Sequence, residues 1–354
     1  MEDYSSTKLK AKYVEDKFGR AALTLAGEGL SRVPDAVTEL SEVEELSLCK
    51  NNLTKLPTSI NKLKRLQWLD VDRNNLTELP AEIGDLKKLW RLSVKNNQLV
   101  GLPTSIQKLN KLEWLHLDEN KLTELPAEIG DLKELRQLRV NNNQMVGLPT
   151  SIQKLNKLEV LHLDRNNLTE LPAEIGDVKG LRWLTVSNNQ LVGLPTSIQK
   201  LNRLRSLNLH GNNLTELPAE IGDLKELRLL SVSNNQLVGL PTSIQMLNRV
   251  ELLYLDGNNL TELPAEIGDL KELRLLHVSN NQLVGLPTSI QKLNKLRSLY
   301  LNGNKLTELP AEIGDLKELK GLSVSGNPLT VDAIHFALKL EKRGLSTDIA
   351  GEDK

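Results

Sequence analysis

Several side chains in this 354-residue chain are of kinds that do chemistry. Asp70 and Asp72 stand two apart, the spacing that sets two carboxylates on one face of a strand, as a paired acid–base site requires. The triplet "HLD" occurs at His116–Asp118 and again at His162–Asp164, and imidazole with carboxylate is a zinc-ligand combination. Cys49, with Glu45 and Lys50 near it, is the one thiol. "DENK" and "DGNN" look like pieces of a calcium loop. Each falls short of a site. His116 and His162 lie two strands apart, roughly 10 Å, with Arg139 between them. The calcium-like pieces lack the loop glycine and the closing glutamate. Cys49 has no partnered histidine, and no glycine-rich phosphate loop is present. Without a nucleophile–base–orienter set the reading is a non-enzyme, with no cofactor, no metal and no small-molecule substrate.

The elements that must carry these residues follow from a period of 23. The pattern L-x-x-L-x-[LV]-x-x-N-x-L-x-x-L-P-x-x-I-x-x-L-x-x starts at Val43 and recurs through Leu319, with a degenerate first copy at Arg20. That makes fourteen units. Within each, "LxL" alternates apolar and exposed, so a short strand turns its leucines inward. The following Asn, as at Asn120, Asn143 and Asn166, suits a turn whose backbone groups need a side-chain partner. The Leu-Pro pair and the later Ile and Leu fit a tight turn and a short 3₁₀ segment. No unit buries its apolar edge alone, so the units must stack into a solenoid.

A second period of 46 lies on top. "LTELPAEIGDLKEL" begins at Leu122, Leu214, Leu260 and Leu306, alternating with units that carry "LVGLPTSIQKLNK". The first kind is acidic and the second basic, so neighbouring outer ridges should attract weakly. At the ends, residues 1–19 read as a helical cap with Leu9, Tyr13, Val14 and Phe18 on one face. Residues 20–329 form the array. Residues 330–344 read as a second helical cap, with Thr330 as N-cap, Ile334, Ala337 and Leu338 on one face, and Gly344 as stop. Residues 345–354 read as a disordered tail.

Counting from the first Leu as zero, the core positions barely change, while offsets 1, 2, 4, 6 and 7 vary. These are the outward positions of the strand and its flanking turns. Trp68, Trp90, Trp114 and Trp183, all the tryptophans of the chain, fall on this face or its edge. Aromatic rings there add nothing to a core and are the residues that most often anchor partners. The expected partner surface is Trp68, Asp70, Asp72, Arg73, Trp90, Arg91, Lys95, Trp114, His116, Asp118, Arg139, His162, Asp164 and Trp183, with Tyr254, His277 and Tyr300 in a flatter, apolar second region.

The units "LEWLHLDENKLTELP" (112–126) and their copies resemble the leucine-rich repeat family, in its intracellular LPxxI class typified by Ras-suppressor and Scribble-type proteins. The resemblance covers about residues 20–330. It implies an α/β solenoid, a horseshoe with a parallel concave β-sheet of about fourteen strands, short 3₁₀ or irregular convex segments and helical caps. It also implies a scaffold or adaptor that binds a protein partner on the concave face, in small-GTPase-type signalling. Two alternatives use the same face: an extracellular or immune-type recognition protein, and a regulatory subunit of an enzyme. Net charge −1, from 45 basic and 46 acidic residues, argues against a nucleic-acid partner. The charged start without an apolar run, the absence of a bilayer-length apolar stretch and the single cysteine point to the cytoplasm, away from membranes. A monomer is expected.

Overall fold

The computed structural model describes residues 13–15, 19–342 and 344–349. The expected fourteen repeat strands are present, from β2 (Ala21–Thr24) to β15 (Gly321–Ser323), one per unit. They fall in two compact bodies. The first runs to Leu168 and takes in Asp177–Leu181; the second holds Thr169–Gly176 and the chain from Arg182 on. In the first, β2 to β8 (Val160–His162) pair parallel in chain order, each register stepping by one repeat, as in Glu45↔Trp68 and Trp68↔Arg91. In the second, β9 (Trp183–Thr185) to β15 do the same, as in Trp183↔Ser206. The strands are parallel because every chain return runs through an outer segment, and they are short because each turn of the solenoid must leave the sheet at once.

The middle residue of each strand is the inward Leu: Leu69, Leu92 and Leu115 in the first body, Leu230 and Leu253 in the second, all fully buried. The turn that leaves the strand is held by its Asn. The Asn120 side chain donates to the carbonyls of Leu117 (3.0 Å) and Val94 (2.9 Å) and accepts from the Leu99 amide (3.0 Å). Asn258 repeats this with Leu255, Val232 and Leu237. One buried amide thus satisfies backbone groups of two adjacent units, which would otherwise be orphaned in the core.

The outer segments are five-residue 3₁₀ turns such as Thr104–Lys108 and Ala127–Asp131, each entered through a proline. Their fixed sequence has a packing cause that the pattern of leucines does not reveal. A Cβ on Gly130 would lie 2.4 Å from the Ser151 carbonyl oxygen, and one on Gly268 would lie 2.3 Å from that of Ser289. Each AEIGD glycine that precedes a TSI segment, Gly84 through Gly268, therefore admits the backbone of that segment to a distance no other residue allows, whereas Gly314, before the carboxy-terminal helix, meets only side chains at 3.8 Å or more. The 46-residue period is this glycine–serine fit. The opposite charges of the ridges do pair, as in Lys157–Glu134 (2.6 Å) and Lys295–Glu272 (2.7 Å), but both are exposed and contribute only ~0–1 kcal/mol each.

The ends depart from expectation. Tyr13–Glu15 form a strand, β1, antiparallel to β2, where a helix was expected; the rest of that predicted cap, Leu9 and Phe18 included, lies outside the described residues. A strand here pairs the edge of β2 that a helix would leave open. The carboxy-terminal helix, Val331–Glu341, is present, and the Thr330 hydroxyl accepts from the Ala333 amide. Its buried face is Ala333, Ala337 and Leu340, while Leu338 is exposed. Part of the expected disordered tail is ordered as β16 (Ser346–Asp348), parallel to β15. The Asp348 carboxylate accepts from Ser323 (2.8 Å) and Ser325 (2.9 Å), which pins this edge strand.

Candidate functional site

In the first body the outward residues of β4 (Trp68–Asp70), β5 (Arg91–Ser93) and β6 (Trp114–His116) are in register, so Trp68, Arg91 and Trp114 stand side by side. The Arg91 guanidinium lies 4.9 Å from the Trp68 ring centre and 5.1 Å from that of Trp114. A cation held between two ring faces is a rigid arrangement. Trp90, at the sheet edge, meets Trp114 edge-to-face at 5.8 Å, and His116 stacks on Trp114 at 6.4 Å. The shielded N–H groups of Trp68 (Nε1) and Arg91 (Nε), and Nε2 of His116, have no hydrogen-bond partner within the protein.

Beyond the strands the carboxylates do structural work. Asp72 accepts from the Ser93 hydroxyl and the Lys95 amide, both at 2.7 Å, and burial together with nearby Asp70 pushes its carboxyl up, against the pull of Ser93. Asp118 is buried and accepts from the Asn141 amide at 3.0 Å; burial raises it too. The imidazole of His116 is lowered to about 4, first by burial and then by Arg139 and Arg91. Burial and Arg139 lower His162 as well, with Asp164 and Asp118 opposing. Both rings are therefore neutral near pH 7, flanked by arginines. Asp70 and Asp72 form no acid–base pair aimed at one point, since Asp72 is committed to the next turn and Asp70 accepts from the Asp72 amide at 3.0 Å. Among the described residues no group of three or more His, Cys, Asp or Glu is placed to hold a metal ion, and no helix is long and apolar enough to cross a membrane.

The turn residue at offset 7 shows a constraint that the sequence reading treated as free variation. It sits in the left-handed region in both bodies. In the second body the position is filled only by Asn or Gly: Asn188 (φ 53°), Gly211 (66°), Asn234 (52°), Gly257 (67°), Asn280 (55°), Gly303 (63°) and Gly326 (69°). In the first body it is also filled by Lys50 (57°), Arg73 (54°), Glu119 (57°) and Arg165 (55°). Side chains without an Asn-like local hydrogen bond are disfavoured there by ~1–2 kcal/mol. Glu119 is partnered by Lys95 (3.1 Å) and Asn96 (2.7 Å), and these hold its carboxyl below the usual range.

The second body presents a different surface. Tyr254, His277 and Tyr300 follow one another on β12 (Leu252–Tyr254), β13 (Leu275–His277) and β14 (Ser298–Tyr300), with His277 5.0 Å from Tyr300 and 6.2 Å from Tyr254. Trp183, on β9, is exposed. Of the predicted site residues, the structure brings Trp68, Trp90, Arg91, Trp114 and His116 into contact, and Tyr254, His277 and Tyr300 into a second group. Arg139, His162 and Asp164 continue the first group electrostatically. Asp72 and Asp118 belong to the turns, and Arg73 is set by its backbone. Sequence reasoning missed Asp256 and Ser233, which meet beside His277. Their signal was present: Ser231 and Ser233 put two small residues in a unit flanked by larger ones.

A family model described as a leucine-rich repeat region matches residues 32–118, 103–191 and 247–342, and another described as leucine rich repeat matches 179–237 and 202–260. Among solved structures, a leucine-rich repeat protein of Leptospira interrogans is 39% identical, with TM-score 0.86, over 91% of this chain and 82% of that one. The plant peptide hormone receptor RGFR1, in complex with RGF2, is 32% identical, with TM-score 0.76, over 90% of this chain and 53% of that one. PEPR1, in its structure with AtPEP1, is 31% identical, with TM-score 0.79, over 96% and 50%. The chain thus spans about half the length of these two. No curated protein matches.

Proposed function

Since the chain belongs to the leucine-rich repeat family, we propose that it is a non-catalytic scaffold or adaptor that docks a protein partner on the outward sheet face of its first body. The observation that carries this is the Trp68–Arg91–Trp114 stack. Three large side chains, held by one another on an outward column, add nothing to the core and lose little freedom on binding, which is what an anchor needs. The charged residues kept at strained turn positions of the first body, Arg73 and Glu119 in the same units as Trp68 and Trp114 among them, support the same reading. RGFR1 and PEPR1, both similar to this chain, are solved in complex with RGF2 and AtPEP1, which supports a peptide or protein as the ligand class.

The 23-residue LPxxI units support a place among Ras-suppressor- and Scribble-like signalling adaptors. A lone thiol, Cys49, suits the reducing cytoplasm. The strands that cover β2 and β15, β1 and β16, are only three residues long, a length that blunts edge pairing with a second copy and suits a monomer.

The test is affinity capture from cell lysate with the wild type and a Trp68→Ala/Trp114→Ala variant, with a melting curve for each. The partners should vanish from the variant while its melt stays close to wild type. Retention of the same partners by a folded variant sinks this reading.

A further inference from the structure

The second body holds an open recess of about 360 Å³ on its outward face. Its floor is the unit of small residues, Leu229, Ser231 and Ser233, and its walls are Asn208 and His210 on one side and Tyr254, Asp256 and His277 on the other. The size is near the low end of ligand pockets, roughly 300–1,000 Å³, and admits one long side chain rather than a folded ligand. Asp256 is the one carboxylate of the lining, which contains no Lys or Arg. It accepts from the Ser233 hydroxyl and lies 3.3 Å from Nδ1 of His277. His277 is itself held between the rings of Tyr254 and Tyr300. The carboxylate is thereby fixed in direction, with acceptor capacity left over. Ser231 and the Asn208 oxygen add acceptors, although the latter already takes the His210 amide at 3.1 Å.

We propose that this recess binds the arginine side chain of a protein partner. The guanidinium would pair with Asp256, lie against Tyr254 and donate to the remaining oxygens of the floor and wall. A planar group with five donors matches a carboxylate, an aromatic ring and scattered acceptors better than a compact ammonium does. The inference does not depend on the first-body docking face: it uses other residues, and its test does not involve that surface.

The experiment follows the imidazole resonances of His210 and His277 in the full chain while N-acetyl-arginine amide is titrated in. N-acetyl-citrulline amide, the neutral isostere, serves as the matched probe. The arginine probe should move both resonances, and citrulline should bind about tenfold more weakly or worse, the loss of a charge-assisted pair. Asp256→Asn should reduce the arginine response to the citrulline level. Equal response to the two probes in the wild-type chain overturns the proposal even if the variant fails to fold. So does an arginine response that survives in folded Asp256→Asn, or no response to arginine at any concentration.

Discussion

The two bodies solve one backbone problem in different ways. Both leave each strand through a turn with a left-handed residue and brace it with a buried Asn. The second body fills the left-handed position with Asn and Gly in alternation, and each of Gly211, Gly257 and Gly303 lies close against the Asn amide of the unit before it. The first body places Lys50, Arg73, Glu119 and Arg165 at the same point. A shared frame does not force shared residues. It sets a conformational preference, and in the first body, which also carries the aromatic and arginine stack, charge is held against that preference. The second body satisfies the preference and offers hydroxyls, tyrosines and one carboxylate instead.

The largest expected effect checks that the frame is common. Leu138→Ala and Leu253→Ala remove equivalent, fully buried leucines, one from each body. Each should lower stability by ~2–5 kcal/mol in denaturant unfolding. A large effect in one body and none in the other would break the comparison at its base.

A smaller effect addresses the turn. Arg73→Gly relieves an unfavourable φ and should raise stability by ~1 kcal/mol, while weakening capture of any partner on the first face. The reverse change, Gly303→Arg, should destabilise at least as much, because a Cβ there would also lie 2.5 Å from the Asn280 side-chain oxygen. If both substitutions lower the melting temperature equally, the position is not governed by φ.

The smallest effect is a protonation. His116 should titrate near 4 by NMR. Its folded value lies below the ordinary 6.5, so between those limits the unfolded chain binds more protons. The associated stability is complete above pH 6.5 and is lost as pH falls toward 4. Asp72 and Asp118, raised by burial, act in the opposite sense: their contribution is present below the ordinary carboxylate value and is lost as pH rises through their folded values. The informative quantity is therefore the difference between wild type and His116→Asn, which should shrink as the pH falls. A difference that stays constant from pH 6.5 to 4 contradicts a buried neutral imidazole.

The repeat makes the strands, the Asn ladder and the inward leucines legible in the sequence, because each follows from periodicity alone. The ends were not legible. Tyr13–Glu15 carry a pattern that serves a helix or a strand, and the pairing edge of β2 decides between them. Asp348 reads as part of a polar tail, and only the structure shows two serines of the last repeat unit, Ser323 at the end of β15 and Ser325 just after it, meeting its carboxylate. At the site, Trp68, Arg91 and Trp114 could be read as neighbours from the register, but not as a stack, since ring orientation depends on contacts between three strands. The Asn–Gly alternation at offset 7 stood in the sequence as a left-handed signature. It was hidden by the charged residues of the first body, which made the column look merely variable.

The glycine–serine fit on the outer ridges has a consequence for how such a chain can gain or lose length. Removing residues 227–249 would set Gly222 against Glu266, with a long acidic side chain where Ser243 had brought a bare backbone close. Removing residues 227–272 would set Gly222 against Ser289 and restore the fit. The shorter deletion should therefore melt lower than the longer one, although it discards half as much protein. Arrays of this type are then counted in pairs: the heritable module is two coils, and an odd number of them leaves a misfit inside the stack.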